Sequence, residues 1–178
     1  MAIVETERLV IRQWRDEDVE PFAAINAEPE VRRYLGISGG RDESEAAIGR
    51  QRDMQATHGH CFWALERKAD GAFLGFCGLR PGVPGTPIAS DVEIGWRLGH
   101  SYWGRGYARE AAEACIGWGF STLCVPRVVS ITVPANRRSW GLMERLGMVR
   151  RPDLDFLHPN LPDGHSLQAH IAYAMDRP

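Results

Sequence analysis

The sequence predicts a single α/β domain over residues 1–178, with elements in the order β-α-α-β-β-β-α-β-α-β-β. Three observations carry that prediction. Val92, Ile94, Trp96 and Leu98 alternate with Asp91, Glu93, Gly95 and Arg97, which is the period of a β-strand. Residues 61–66 and 73–79 are apolar runs on either side of an Ala69-Asp70-Gly71 turn, the pattern of an antiparallel hairpin. A turn with two glycines, Trp103-Gly-Arg-Gly-Tyr-Ala108, then joins the alternating strand to a helical run of small residues.

Taken in order, residues 8–14 read as the first strand. Asp16 opens a helix with acids at 17 and 18 and with Phe22 and Ile25 on one face. A short helical piece follows Pro29, carrying Val31, Tyr34 and Leu35, and Gly36-Ile-Ser-Gly-Gly40 breaks it as a mobile segment. Residues 42–58 are a polar surface helix able to flank a cleft. Beyond the hairpin, residues 80–90 hold three prolines and two glycines and read as an exposed loop. The helix over 108–120 sets Ala108, Ala111, Ala112, Cys115 and Gly119 on one face, small enough to sit tightly on a sheet. Residues 128–133 are almost wholly β-branched and read as a central strand. Pro134-Ala-Asn136 then turns the chain into a helix over about 137–146, closed by Gly147. Residues 148–156 and 165–175 read as the last two strands.

Composition narrows the function classes. A formal net charge of −2 supplies no global basic field, so neither nucleic acid nor a membrane surface is an expected partner. No apolar stretch approaches the roughly 20 residues of a membrane span. The start of the chain has acids where a secretory leader needs a basic segment, so a reducing, cytoplasmic compartment is expected. Cys61, Cys77, Cys115 and Cys124 lack metal-ligand spacing and read as buried free thiols, and no metal site is expected. Arginines gather at 97, 105, 109, 127, 137 and 138, around the glycine turn and the helix after Asn136.

A strand feeding a glycine turn that opens a helix makes an anion site, because the backbone approaches closely and the first helical N–H groups and the dipole face the ligand. Two familiar phosphate motifs fail here. The dinucleotide fingerprint would need Gly or Ala where Arg109 stands, and the P-loop would need Lys-Ser/Thr where Tyr107-Ala108 stands. A nucleotide-dependent oxidoreductase is excluded on the first count. The G-x-A of Gly106-Tyr-Ala108 remains.

Four stretches then resemble the GNAT family of N-acetyltransferases, in particular the branch that includes the ribosomal-protein N-terminal acetyltransferases. They are Glu5-Thr-Glu-Arg-Leu-Val-Ile-Arg12, Val92-Glu-Ile-Gly-Trp96, Tyr102-Trp-Gly-Arg-Gly-Tyr-Ala-Arg-Glu-Ala111 and Asn136-Arg-Arg-Ser-Trp-Gly-Leu-Met-Glu-Arg-Leu-Gly-Met148. The resemblance implies a mixed, mostly antiparallel central sheet whose central strands splay apart, with helices on both faces. It implies acetyl-CoA as co-substrate and a primary amine as acceptor, either a protein N-terminal α-amine or a small-molecule amine, in a monomer or homodimer. The N–H groups of Gly104, Arg105, Gly106, Tyr107, Ala108 and Arg109 would hold the pyrophosphate. The backbone of Trp96, Arg97 and Leu98 would pair with the pantetheine, and Gly95 fits a close backbone approach there. Asn136 would contact the donor or an ordered water, or serve only as a helix cap. Many relatives carry a tyrosine where this chain has Met143. Ser139 is the substitute acid for the leaving thiolate and a donor contact, or else a simple capping serine.

Acetyl transfer also needs a neutral amine. An α-amine of pKa about 7.7–8.0 costs only ~1 kcal/mol to deprotonate at pH 7, against ~4.6 kcal/mol for a lysine at about 10.4. Glu93, on the strand face opposite Val92 and Ile94, is the candidate base, with neutralisation by Arg97 as its structural alternative and Asp91 ranked second. His158 and His170 either face the acceptor pocket or are ordinary satisfied histidines. Residues 34–40, 42–58 and 156–166 are the expected pocket walls, with Tyr34 and Phe156 as apolar surfaces. A CoA-binding sensor that has lost catalysis is the alternative to the enzyme, motivated by Met143.

Overall fold

The computed structural model describes residues 1–37 and 39–178, so Ser38 of the expected mobile break lies outside the described residues. The chain enters as a hairpin, β1 (Ala2–Glu5) and β2 (Leu9–Arg12), and a single 3-10 turn leads into α1 (Val19–Ala27), α2 (Pro29–Arg32) and α3 (Arg41–His58). The antiparallel run β3 (Phe62–Arg67), β4 (Phe73–Pro81) and β5 (Val92–Leu98) follows, then α4 (Tyr107–Trp118), β6 (Arg127–Thr132) and α5 (Arg137–Arg145). The chain closes with β7 (Val149–Arg150), β8 (Phe156–Leu157) and β9 (Ala169–Asp176). The sheet order is β1-β2-β3-β4-β5-β6-β9-β7, with β8 also on β9. Among the described strands only β5 and β6 pair in parallel.

That parallel pairing lasts two residues, Val92 with Val128 and Glu93 with Val129. The Asp91 carboxylate bolts its base, accepting Arg127 Nε at 2.9 Å and Nη2 at 2.6 Å. The Ser130 hydroxyl donates to the Ile94 carbonyl at 3.0 Å, the last bond before the strands diverge. The sheet is therefore mostly antiparallel and splayed at its centre.

Helices cover both faces. Ala111, Ala112 and Cys115 of α4 are fully buried against the side bearing Trp63, Leu79 and Ile94, with Met143 of α5 in the same cluster. On the other side α1 brings Phe22 over Phe76, at 6.0 Å between ring centroids, and packs on α3. A buried ion pair fixes that entry, since Arg12 donates to both oxygens of Asp18 at 2.8 Å. A second small core joins Val83, Ile88, Val129, Leu154, Ala172 and Ala174.

Several expectations change. The three-residue apolar stretch before Glu5 forms a strand, β1, too short and too exposed for its alternation to show in sequence. The short helical piece expected after Pro29 forms as α2, so three helices, rather than the two of the expected element order, precede β3. Residues 80–90 are not simply an exposed loop: β4 runs to Pro81, and Val83 and Ile88 are buried in the second core. The strand expected over 148–156 is broken by a 3-10 turn at Pro152–Leu154, where proline has no N–H for a ladder. The last strand begins only at Ala169, and the helix expected to 120 ends at Trp118 in a π turn. Cys61, Cys77 and Cys115 are buried free thiols, but Cys124 is exposed at the end of that turn.

Candidate functional site

Two clefts flank the divergence of β5 and β6. The first, of about 880 Å³, lies between the end of β5, the glycine turn and the start of α5. Gly104 and Gly106 take φ of +74° and +82°, left-handed conformations that side chains resist. Gly106 precedes α4, which has no side-chain cap, so the first N–H groups of the helix are not satisfied by a capping side chain. Arg33, Arg97, Arg109, Arg137, Arg138 and Arg145 line this cleft, with Glu30 as the carboxylate among the described lining residues.

The turn is held from outside. Arg8 donates through Nη1 to the Arg105 carbonyl at 3.0 Å and through Nε to Glu110 at 2.6 Å, and Thr6 Oγ1 donates to Glu110 at 2.6 Å. Tyr107 is buried, with the Arg8 guanidinium 4.7 Å from its ring centroid. Arg105 does not line the cleft, and Arg109 pairs with Glu113 at 2.7 Å on the outer helix face. Trp103 donates from Nε1 to the Leu98 carbonyl at 2.8 Å, tying the turn to the strand end, and Arg138 lies 5.1 Å from its ring.

Strand parity separates the three expected backbone contacts. The Ile94 carbonyl faces β6, so the two-residue period turns the Trp96 N–H and C=O to the same, diverging edge. The main chain of Arg97 turns instead toward Phe76 on β4. Leu98 shares the edge of Trp96, but its carbonyl is taken by Trp103. The space above Gly95 belongs to the Phe62 ring: an added Cβ would lie 2.6 Å from it. A close side-chain approach, not a bulge or a backbone contact, explains that glycine.

The second cleft, of about 470 Å³, opens on the α1–α3 side. Glu93 lies in it with its side chain 6% exposed, gripped by a two-pronged Arg80 fork at 3.0 and 2.9 Å. Burial raises its pKa above the ordinary carboxylate value, and Arg80 pulls it partly back. Arg97, expected as the partner of Glu93, reaches Asn26 instead through Nη1 at 2.8 Å and packs 5.2 Å from the Phe76 ring. Its Nε is buried without a hydrogen-bond partner among the described residues, and burial lowers its pKa to about 10. Asp91 lines neither cleft and is spent on Arg127.

His158 and His170 both line the second cleft, with ring centroids 4.9 Å apart. Burial, then His170, then Arg80 push His158 down to about 4, and burial lowers His170. His170 Nδ1 lies 3.1 Å from the Gln168 carbonyl, so that nitrogen carries the proton and Nε2 the lone pair. Tyr34 forms part of the wall, whereas Phe156 stacks behind His170 at 6.0 Å and is not a lining residue. From α3 only Arg50 reaches the lining among the described residues.

Asn136 and Ser139 line both clefts, as do Trp96 and Arg97. Asn136 caps α5, its Oδ1 accepting the Ser139 N–H at 3.4 Å, so the serine hydroxyl is not the cap. Met143, one turn further on, is fully buried in the core and touches neither cleft. Arg80 and the His158–His170 pairing were not assigned from sequence. Extending the alternation of 73–79 by one residue would have set Arg80 on the same face as Phe76 and Gly78.

The family model for the acetyltransferase (GNAT) domain matches residues 8–149. An uncharacterized N-acetyltransferase, p20, of Bacillus licheniformis is 30% identical over 151 residues, covering 82% of each chain. A solved acetyltransferase of Agrobacterium tumefaciens superposes with a TM-score of 0.77 at 27% identity, over 97% of this chain and 92% of that one. RimJ of Mycobacterium smegmatis, solved in complex with CoA-disulfide, shares the fold with a TM-score of 0.73 at 17% identity, over 94% of this chain and 81% of that one.

Proposed function

This chain belongs to the GNAT acetyltransferase family and is an acyltransferase, and from that premise we propose that it moves the acetyl group of acetyl-CoA to a primary amine, with the donor in the first cleft and the acceptor in the second. The observation that carries this reading is the shared neck: two clefts of different chemistry meet at Trp96, Arg97, Asn136 and Ser139, where β5 and β6 part. The first cleft fits the donor. Its arginines and the uncapped α4 terminus suit phosphates, and the turned-out edge of Trp96 suits an amide-bearing arm. That RimJ was solved with a CoA derivative supports the same assignment.

The donor supplies a thioester; the protein has to supply a neutral amine, an oriented carbonyl and a proton for the leaving sulfur. In this reading the amine lone pair attacks the thioester carbon, the C–N bond forms as the C–S bond breaks, and the amine proton passes to Glu93 or a water held by it. Its burial-raised pKa makes the carboxylate a better proton acceptor than an exposed glutamate. The Trp96 N–H is oriented to polarise the carbonyl, and the Ser139 hydroxyl passes a proton to the leaving thiolate as it takes one back from solvent. The sensor alternative gains nothing further from Met143, a core residue out of reach of the chemistry.

The test is thiol release from acetyl-CoA across a panel of amines. Turnover with any acceptor is expected, and its absence with all would sink the transferase reading. Glu93→Gln should lower kcat/KM mainly at low pH, where the base is most needed. An unaltered pH–rate profile would move the proton to His170 Nε2.

A further inference from the structure

Resting on that reading, we propose that the acceptor is a small amine that also carries an oxyanion, a carboxylate or a phosphate, rather than the terminus of a folded protein. Size is the first argument. The mouth of the second cleft is narrowed at one point: a Cβ on Gly36 would lie 3.1 Å from Leu161 Cδ2, so Gly36 and the loop between β8 and β9 come together in its lining. A cleft of about 470 Å³ narrowed in this way suits a ligand of small-molecule dimensions. A chain entering from the surface of another protein would meet the narrowing at Gly36 and Leu161.

Charge is the second argument. Arg50, Arg80 and Arg97 face the cleft from α3, β4 and β5. Against them stand Glu93, already held by both prongs of Arg80, and Glu43, which pulls on Arg97 from α3. Among the described residues, three guanidiniums, that of Arg50 at the exposed rim, stand against two carboxylates and leave the cleft net positive, and the two imidazoles do not offset it. His158 is held neutral partly because Arg80 repels its protonated form. A net positive cleft repels a bare ammonium but attracts an amine tethered to an oxyanion, which guanidinium groups grip in a fork. The same field favours the neutral, nucleophilic form of the amine once it is seated.

The experiment uses the full chain with acetyl-CoA, reading thiol release with α-amino acids against their carboxamides and with O-phosphoethanolamine against ethanolamine. Each carboxamide deprotonates more readily than its acid, so chemistry alone favours the uncharged partner. The expected result is at least tenfold higher kcat/KM for the anionic member of a pair, and whichever pair shows it identifies carboxylate or phosphate. Equal or better turnover with the uncharged members, or with short peptides blocked at their C-termini, overturns the proposal. Arg50→Gln should raise KM for the anionic amine five- to tenfold and leave KM for acetyl-CoA unchanged; an unchanged amine KM also counts against it. Calorimetric titration of N-acetylated acids and carboxamides into CoA-saturated protein reads recognition without turnover. Anion preference there without any thiol release would sink the transferase reading and leave the anion site standing. Thiol release without anion preference would do the reverse.

Discussion

The first cleft is shaped by one run of main chain, with arginines on its walls, and the second is assembled from side chains of distant segments. In the first, the turn at Gly104 and Gly106, the N-terminus of α4 and the edge of Trp96 lie within one stretch of 14 residues. In the second, Arg50, Arg80, Glu93, Ser130, His158 and His170 converge from six separate segments. Backbone sites depend on local conformation and tolerate side-chain change; side-chain sites depend on register and bury charge that must be matched. The same reaction thus rests on one half that is robust and one half that is finely balanced.

The largest effect should come from unbalancing the second cleft. Arg80→Met leaves Glu93 buried without its partner and should cost about 3–5 kcal/mol of unfolding free energy by urea denaturation. Adding Glu93→Gln should recover most of that loss. Arg137→Gln, on the exposed rim of the first cleft, should stay within about 0.5 kcal/mol. Equal losses would erase the contrast between the two clefts.

At the neck, Ser139→Ala should lower kcat about 100-fold, the low end for a lost general acid, with KM for acetyl-CoA unchanged. In the first cleft, Gly106→Ala forces a side chain into the left-handed region at a cost of about 1–2 kcal/mol, a five- to thirtyfold rise in KM for acetyl-CoA. A normal KM would show that the turn does not shape the donor site.

The smallest effect is a pH slope. His158 titrates near 4 in the folded protein against an ordinary 6.5, so as pH falls from 6.5 toward 4 the unfolded chain takes up a proton that the native one refuses. Stability therefore falls with pH across that window and levels off below it. His158→Asn should flatten the dependence of Tm on pH by less than one proton's worth, and an unchanged slope would show the imidazole to be solvated.

The same contrast explains what could be read from the sequence. Gly104, Gly106, Asn136 and the alternation of Val92 to Leu98 announce themselves because each is set by near neighbours in the chain. Arg80 did not, because its partner follows from the β4–β5 register that sets Arg80 opposite Glu93, and a ten-residue connection hides that register. A place on the same strand face, four residues on, suggested Arg97 for Glu93, but Asn26 and the Phe22 and Phe76 rings draw that side chain away. His158 and His170 meet only because Phe156 pairs with His170 in a strand of two residues. Such a strand has no alternation to detect.

The strap from Thr6 and Arg8 to Arg105 and Glu110 spans about a hundred residues of sequence. The hairpin that supplies it ends in a short, largely exposed outer strand, the sort of element that opens locally long before the core unfolds. Each such opening would loosen the glycine turn from Thr6 and Arg8. Fraying and donor binding are therefore linked equilibria. Saturating donor should slow hydrogen exchange at Leu9 and Ile11, residues that never touch it, and a bulky fusion ahead of Met1 should weaken donor affinity while leaving the sheet intact.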